Sequence, residues 1–196
     1  MTTLWDAFII IDMKIKNMIL ISIFAVLSAV GARLMIPLPF VPMTLQTMVC
    51  MLAGLLLGPK LGAAAQTLYM LMGLAGIPVF TSAAGPAAVL APSFGYIIGF
   101  IFGAWLTGTL RDFFKQKYGT ISRIQYFTAA MAGVLLVYVI GVAYLYACLN
   151  IWVKSADATF FKVLTIGFLS TIGSDVIKAA LSAEIAKRLE KSGIFA

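Results

Sequence analysis

Long stretches of this chain carry no charge at all, and short clusters of Lys and Arg punctuate them. No Asp, Glu, Lys or Arg falls between Arg33 and Lys60, between Lys60 and Arg111, or between Arg123 and Lys154. A helix needs about 20 mostly apolar residues to cross a hydrocarbon core of about 30 Å. On that rule the pattern predicts an all-α integral membrane protein, a single membrane domain with six transmembrane helices near 16–36, 44–57, 61–76, 93–110, 124–151 and 174–191. Pro37, Pro39 and Pro42 end the first, because proline removes a donor and turns the preceding residue away from helix. Gly58-Pro59-Lys60 leaves room only for a tight turn, which makes helices two and three an antiparallel hairpin. The uncharged Gly/Ala/Pro/Ser stretch 77–92 reads as an ordered loop, and 154–173 as a mixed segment.

Composition agrees with the pattern. Of 196 residues, 62% are hydrophobic and 11% charged, and the mean hydropathy is +1.05; a soluble domain is roughly 45–50% apolar and 25% charged. Too few polar side chains remain to cover a water-facing surface, so a soluble globular domain and a disordered chain are both excluded. Cys50 and Cys148 lie far apart in apolar stretches and read as buried thiols. Without a single histidine, no zinc, haem or Ser-His site is expected, and no cofactor or metal is called for.

The net charge of +7 reports orientation rather than nucleic acid, because the basic residues cluster at the ends of apolar runs. With both termini cytoplasmic, Lys14, Lys16, Lys60, Arg111, Lys115, Lys117, Arg123, Lys187, Arg188 and Lys191 lie inside and Arg33, Lys154 and Lys162 outside, ten against three. The proline-rich loop, the 77–92 loop and the 154–173 segment then face outward. A cleaved signal peptide is disfavoured, since the first apolar run exceeds a typical signal core.

Lys178 belongs to neither set and pairs in sequence with Asp175, three residues before it. Ionisable residues inside an apolar span are costly and mark a functional site by default. At i and i+3 both side chains leave one helix face, which Thr171 and Ser182 extend if the helix runs through both. Begun near Phe160, the last helix would carry Asp175 past the bilayer centre; begun at Ser174, a fair N-cap, it would place Asp175 in the first turn, favoured by the helix dipole and facing an outward-opening cavity. Gly167 and Gly173 interrupt the longer run, so the sequence favours the second start. Thr44, Gln46, Thr81, Ser82 and Tyr96 supply hydrogen-bonding groups at the outer ends of spans, with Phe80, Phe94 and Tyr138 as flat apolar walls. Together they describe a mostly apolar small-molecule pocket with a few polar groups.

Small residues recur every four positions: Ala25 and Ala29, then Gly54, Gly58 and Gly62, then Gly95, Gly99 and Gly103. The glycines read as close helix packing. For Ala25 and Ala29 both internal packing and a partner surface stay open. No GxxxxGK[ST] loop is present, which excludes ATP hydrolysis by this chain. No inverted repeat or further buried acid supplies ion coupling.

Several stretches resemble one family. They are Pro39-Phe-Val-Pro42-Met-Thr-Leu-Gln46-Thr, Gly54-Leu-Leu-Leu-Gly58-Pro-Lys-Leu-Gly62, Tyr69-Met-Leu-Met-Gly73-Leu-Ala-Gly76-Ile-Pro78-Val-Phe80, Pro92-Ser-Phe-Gly95-Tyr96-Ile-Ile-Gly99 and Gly173-Ser-Asp175-Val-Ile-Lys178. In this order they are similar to the BioY family, the biotin-binding S components of energy-coupling factor (ECF) transporters. The resemblance implies a multi-pass cell-membrane subunit that captures biotin outside for ATP-driven uptake. It implies three partners: a transmembrane coupling subunit and two cytoplasmic ATPases. In that family an AxxxA motif docks on the coupling subunit, and Ala25 and Ala29 match it. Lys178 is then a candidate for the carboxylate of biotin, and Asp175 and Gln46 for its ureido ring. The 37–46 loop is the candidate gate. A stand-alone secondary transporter of a carboxylate-bearing vitamin is the competing function; an intramembrane enzyme lacks a catalytic set.

Overall fold

A computed structural model describes residues 4–38, 40–151, 153 and 159–192, with the side chains of 14–190 described wherever the backbone is. Pro39 and Lys154 lie outside the described residues. Among the described residues the fold is all-α apart from one two-residue ladder. Seven α-helices follow in order among the described residues: α1 (Leu4–Arg33), α2 (Gln46–Leu57), α3 (Pro59–Leu74), α4 (Phe94–Tyr118), α5 (Arg123–Ile151), α6 (Phe160–Leu164) and α7 (Ser170–Ser192). Among the described residues four helical runs are long and apolar enough to cross a membrane: Lys14–Arg33, Phe94–Tyr118, Arg123–Ile151 and Phe160–Glu190. The Gln46–Leu57 helix is apolar but shorter.

The helix ends follow local chemistry. After α1 the chain forms β1 (Met35–Ile36), which pairs antiparallel with β2 (Met43–Thr44) in the register Met35 to Thr44 and Ile36 to Met43. Thr44 is therefore strand, and α2 starts at Gln46 instead of at 44. Gly58, at φ +85, turns α2 directly into α3, and Pro59 occupies the first helical position where its missing N–H costs nothing. Leu74 ends α3 ahead of Gly76, whose φ is +97. Between α3 and α4 the chain makes a short 3-10 turn at Pro86–Leu90.

The last span corrects the expected start at Ser174. The chain is helical from Phe160 onward, with a π turn at Thr165–Leu169 joining α6 to α7. Gly167 does not break the helix; it sits inside the π turn, where a widened ring exposes its carbonyl to an outside donor, Tyr96. Ser174 is not an N-cap either: its hydroxyl donates back to the Thr171 carbonyl at 2.8 Å, within the helix. Asp175 thus lies about 22 Å along the helix from Phe160 at 1.5 Å per residue. The dipole argument for its charge falls with the first-turn placement, and side-chain partners take over that role.

Glycines set how closely the helices approach. A Cβ on Gly103 would come within 2.4 Å of Val137 Cγ2, one on Gly54 within 2.6 Å of the Ala104 carbonyl, and one on Gly62 within 2.9 Å of the Ala53 carbonyl. These positions lock α2, α3, α4 and α5 into one core that includes Met51, Leu55, Tyr69, Val134, Val137 and Leu145. On the outside, Met18, Ile19, Ile23, Val26 and Val30 leave a broad apolar face of α1 exposed.

Candidate functional site

The polar residues of α7 converge with the start of α2. Asp175, about 1% exposed, accepts hydrogen bonds on Oδ1 from Lys178 Nζ at 2.7 Å and from Thr47 Oγ1 at 2.8 Å. Its Oδ2 accepts the Tyr138 hydroxyl at 2.5 Å, and Thr171 Oγ1 lies 2.9 Å from the same Tyr138 oxygen. A buried carboxylate with three donors, one of them a lysine at contact distance, is compensated rather than orphaned. Lys178, also buried, spends its three N–H bonds on Asp175, on the Thr44 carbonyl at 2.7 Å and on Thr47 Oγ1 at 3.3 Å. A three-residue spacing on α7 puts both charges on one face. The turn from β2 into α2 brings Thr44 and Thr47 against that face.

A second polar chain forms the back of the site. The Gln46 carboxamide donates from Nε2 to the Tyr69 hydroxyl at 2.7 Å, and Tyr69 passes a hydrogen bond to the Val79 carbonyl at 3.2 Å. Thr44 Oγ1 accepts the Gln46 backbone N–H at 3.2 Å and lies 3.1 Å from Gln46 Oε1. Tyr96, near the start of α4, donates to the Gly167 carbonyl at 2.8 Å and so holds the π turn against α4. The rings of Tyr96 and Tyr138 meet edge to face at 6.2 Å, and those of Tyr138 and Phe168 at 4.9 Å.

Asp175, Lys178 and their side-chain partners line one cavity of about 50 Å³, whose apolar walls are Val41, Pro42 and Met43 together with Ile97, Phe100 and Val137. Of the residues picked out in the sequence, Asp175, Lys178, Thr171, Gln46, Thr44, Thr81, Tyr96 and Tyr138 line it. Ser82 is exposed and lines a neighbouring outer groove with Phe40 and Pro92 instead. Phe80 does not line the cavity: it is buried below, edge to face with Tyr69 at 5.4 Å and with Phe94 at 6.3 Å, over the space that Gly73 leaves. Ala25 is fully buried in the bundle and Ala29 half-buried, so an exposed two-alanine face does not form. Thr47 and Ser93 are lining residues that the sequence reading missed. Thr47 was within reach, since it follows Gln46 directly and lies three residues after Thr44.

Chemically the arrangement suits a neutral polar head with both donors and acceptors. Asp175 Oδ2 carries one hydrogen bond among the described residues and has capacity for another. Aromatic and aliphatic walls take the apolar body of such a ligand. Among the described residues no group of three or more His, Cys, Asp or Glu is placed to hold a metal ion.

A sequence profile described as the BioY family matches residues 2–194. The chain is 39% identical over 175 residues to a protein of Lysinibacillus sphaericus named probable biotin transporter BioY, covering 89% of this chain and 87% of that one. It is 37% identical over 177 residues to the biotin transporter BioY of Thermotoga maritima, covering 90% and 96%. Among solved structures it superposes on the S-component for biotin from an ECF-type ABC transporter with a TM-score of 0.79, at 29% identity, over 94% of this chain and 95% of that one.

Proposed function

The chain belongs to the BioY family, and from that premise we propose that it is the multi-pass membrane S component that binds biotin for ATP-driven uptake by an ECF complex. The observation that carries the reading is the cavity at Asp175, where donors from three helices, Thr47 on α2, Tyr138 on α5 and Lys178 on α7, converge on a single buried carboxylate.

The ureido ring of biotin has two N–H donors and one carbonyl acceptor. We place it against Asp175 Oδ2 and the remaining N–H of Gln46, with the thiophane ring between Tyr96, Phe100 and Val137. Lys178 then acts by holding Asp175 and the Thr44 carbonyl, because its three donors are already engaged. The cavity is smaller than the roughly 300 Å³ at the low end of small-molecule sites, so a ligand of this size needs its wall to yield. The 37–46 segment is the gate in this reading: it is held by a two-residue ladder and by Lys178, and two-stranded pairings are weak alone.

The same reading has six spans with both termini cytoplasmic, the short α2 and α3 crossing as a hairpin and the lysine-rich ends inside. Transport then requires a transmembrane coupling subunit and two cytoplasmic ATPases, since this chain has no phosphate-binding loop. The exposed side of α1, with half-buried Ala29 on its margin, is the surface offered to the coupling subunit. Binding and transport, with no bond made or broken by this chain, are the activity. Purification in detergent followed by mass spectrometry of co-purifying small molecules tests the assignment: biotin is expected, and a different stoichiometric ligand overturns it.

A further inference from the structure

A second concave space lies on the far side of β2 from the cavity. This groove, of about 390 Å³, is lined by Arg33, Leu34, Met35, Ile36, Met43, Thr44, Leu45 and Lys178. Met43, Thr44 and Lys178 line both spaces, so the two-residue strand β2 and the Lys178 side chain stand between them. The groove holds two cationic side chains and no acidic one. Lys178 contributes charge but has no donor to spare. Arg33 is exposed in the last turn of α1, and among the described residues its guanidinium donates only to the Pro78 carbonyl. The remaining N–H bonds of that planar fork suit a carboxylate. The other lining side chains, apart from Thr44, are aliphatic or thioether and suit an alkyl chain.

We infer that the Arg33 groove is an encounter site that captures the carboxylate end of the ligand before the ring system passes β2 into the inner cavity. This rests on the reading of the inner cavity as the biotin site. An exposed cation beside the mouth of a low-dielectric cleft raises the local concentration of an anionic ligand and speeds its association. It does so without adding to the contacts of the bound state. Arg33 is a positioning residue in this scheme, acting on the rate of arrival.

The test measures association and dissociation rates of biotin and of its uncharged methyl ester on the detergent-solubilised full chain, at low and high salt. For Arg33→Gln the expected result is an association rate for biotin about tenfold lower and much less dependent on salt, with the dissociation rate unchanged. The methyl ester should associate with variant and wild type alike, and Arg33→Lys should keep most of the steering. An unchanged biotin association rate overturns the inference. An equal loss for biotin and the ester also overturns it, because Arg33 would then serve folding through Pro78. Failure of the wild-type chain to bind biotin at all is a different outcome and overturns the functional reading beneath it.

Discussion

Thr47 Oγ1 lies 2.8 Å from Asp175 Oδ1 and so joins the first turn of α2 to the middle of the last span. The same oxygen accepts from Lys178 at 3.3 Å, which makes Thr47 the hinge of the buried charge pair. Hydrogen bonds to charged groups contribute about 1.5–3 kcal/mol. Thr47→Val is expected to weaken biotin binding by roughly tenfold or more, and Thr47→Ser to restore it. Titration calorimetry on the detergent-solubilised chain checks both.

Breaking the Asp175 and Lys178 pair from one side leaves an uncompensated charge among buried groups, which costs about 3–5 kcal/mol. Lys178→Met alone should therefore lower the thermal midpoint sharply. The double variant Asp175→Asn with Lys178→Met should recover much of that loss yet bind no biotin. Thermal unfolding in detergent, paired with a binding assay, separates the two effects. A double variant as unstable as the single one would show that the pair contributes no mutual compensation.

Ala25 and Ala29 should behave differently although they share a motif. Ala25 is fully enclosed, so Ala25→Leu overpacks the bundle and destabilises the isolated subunit by about 1–3 kcal/mol. Ala29→Trp projects from the margin of the exposed α1 face. It should leave biotin affinity intact and abolish co-purification with a coupling subunit. Pull-down of the assembled complex, alongside binding by the isolated subunit, measures both.

Gly167 offers a test of the π turn. A Cβ there would approach the Tyr96 hydroxyl to 2.5 Å and break its hydrogen bond to the Gly167 carbonyl. Gly167→Val is expected to shift Tyr96 and reduce biotin affinity at least several-fold, since loss of one hydrogen bond costs about 0.5–1.5 kcal/mol before the cavity wall moves. Tyr96→Phe should reproduce the loss of the bond without the crowding.

Much of this molecule was legible in its residues because lipid simplifies the code. Charge-free stretches mark helices, Gly58-Pro59 marks a hairpin, and Asp175 with Lys178 stands out as the one ionisable pair deep in an apolar run. The failures have physical causes as well. Gly167 and Gly173 look like helix breakers, but a helix packed in a bundle absorbs one in a π turn and the other in regular helix. A tight ladder between Met35–Ile36 and Met43–Thr44 leaves almost no signal in two residues per strand. Phe80 reads equally well as a wall or as core, and only its packing over Gly73 decides for core. Ala25 faces inward because α1 turns that side to α3, where Ser28 bonds to Gln66 at 3.2 Å.

The most direct test of the central claim is equilibrium binding of biotin to the purified chain alone, without coupling subunit or ATPases, for wild type and Asp175→Asn, with Val139→Ala on the exposed side of α5 as control. The account predicts saturable binding by wild type and control and a loss of about a hundredfold or more in Asp175→Asn, as removal of a central charge-assisted contact implies. Equal affinity in wild type and a folded Asp175→Asn would contradict it.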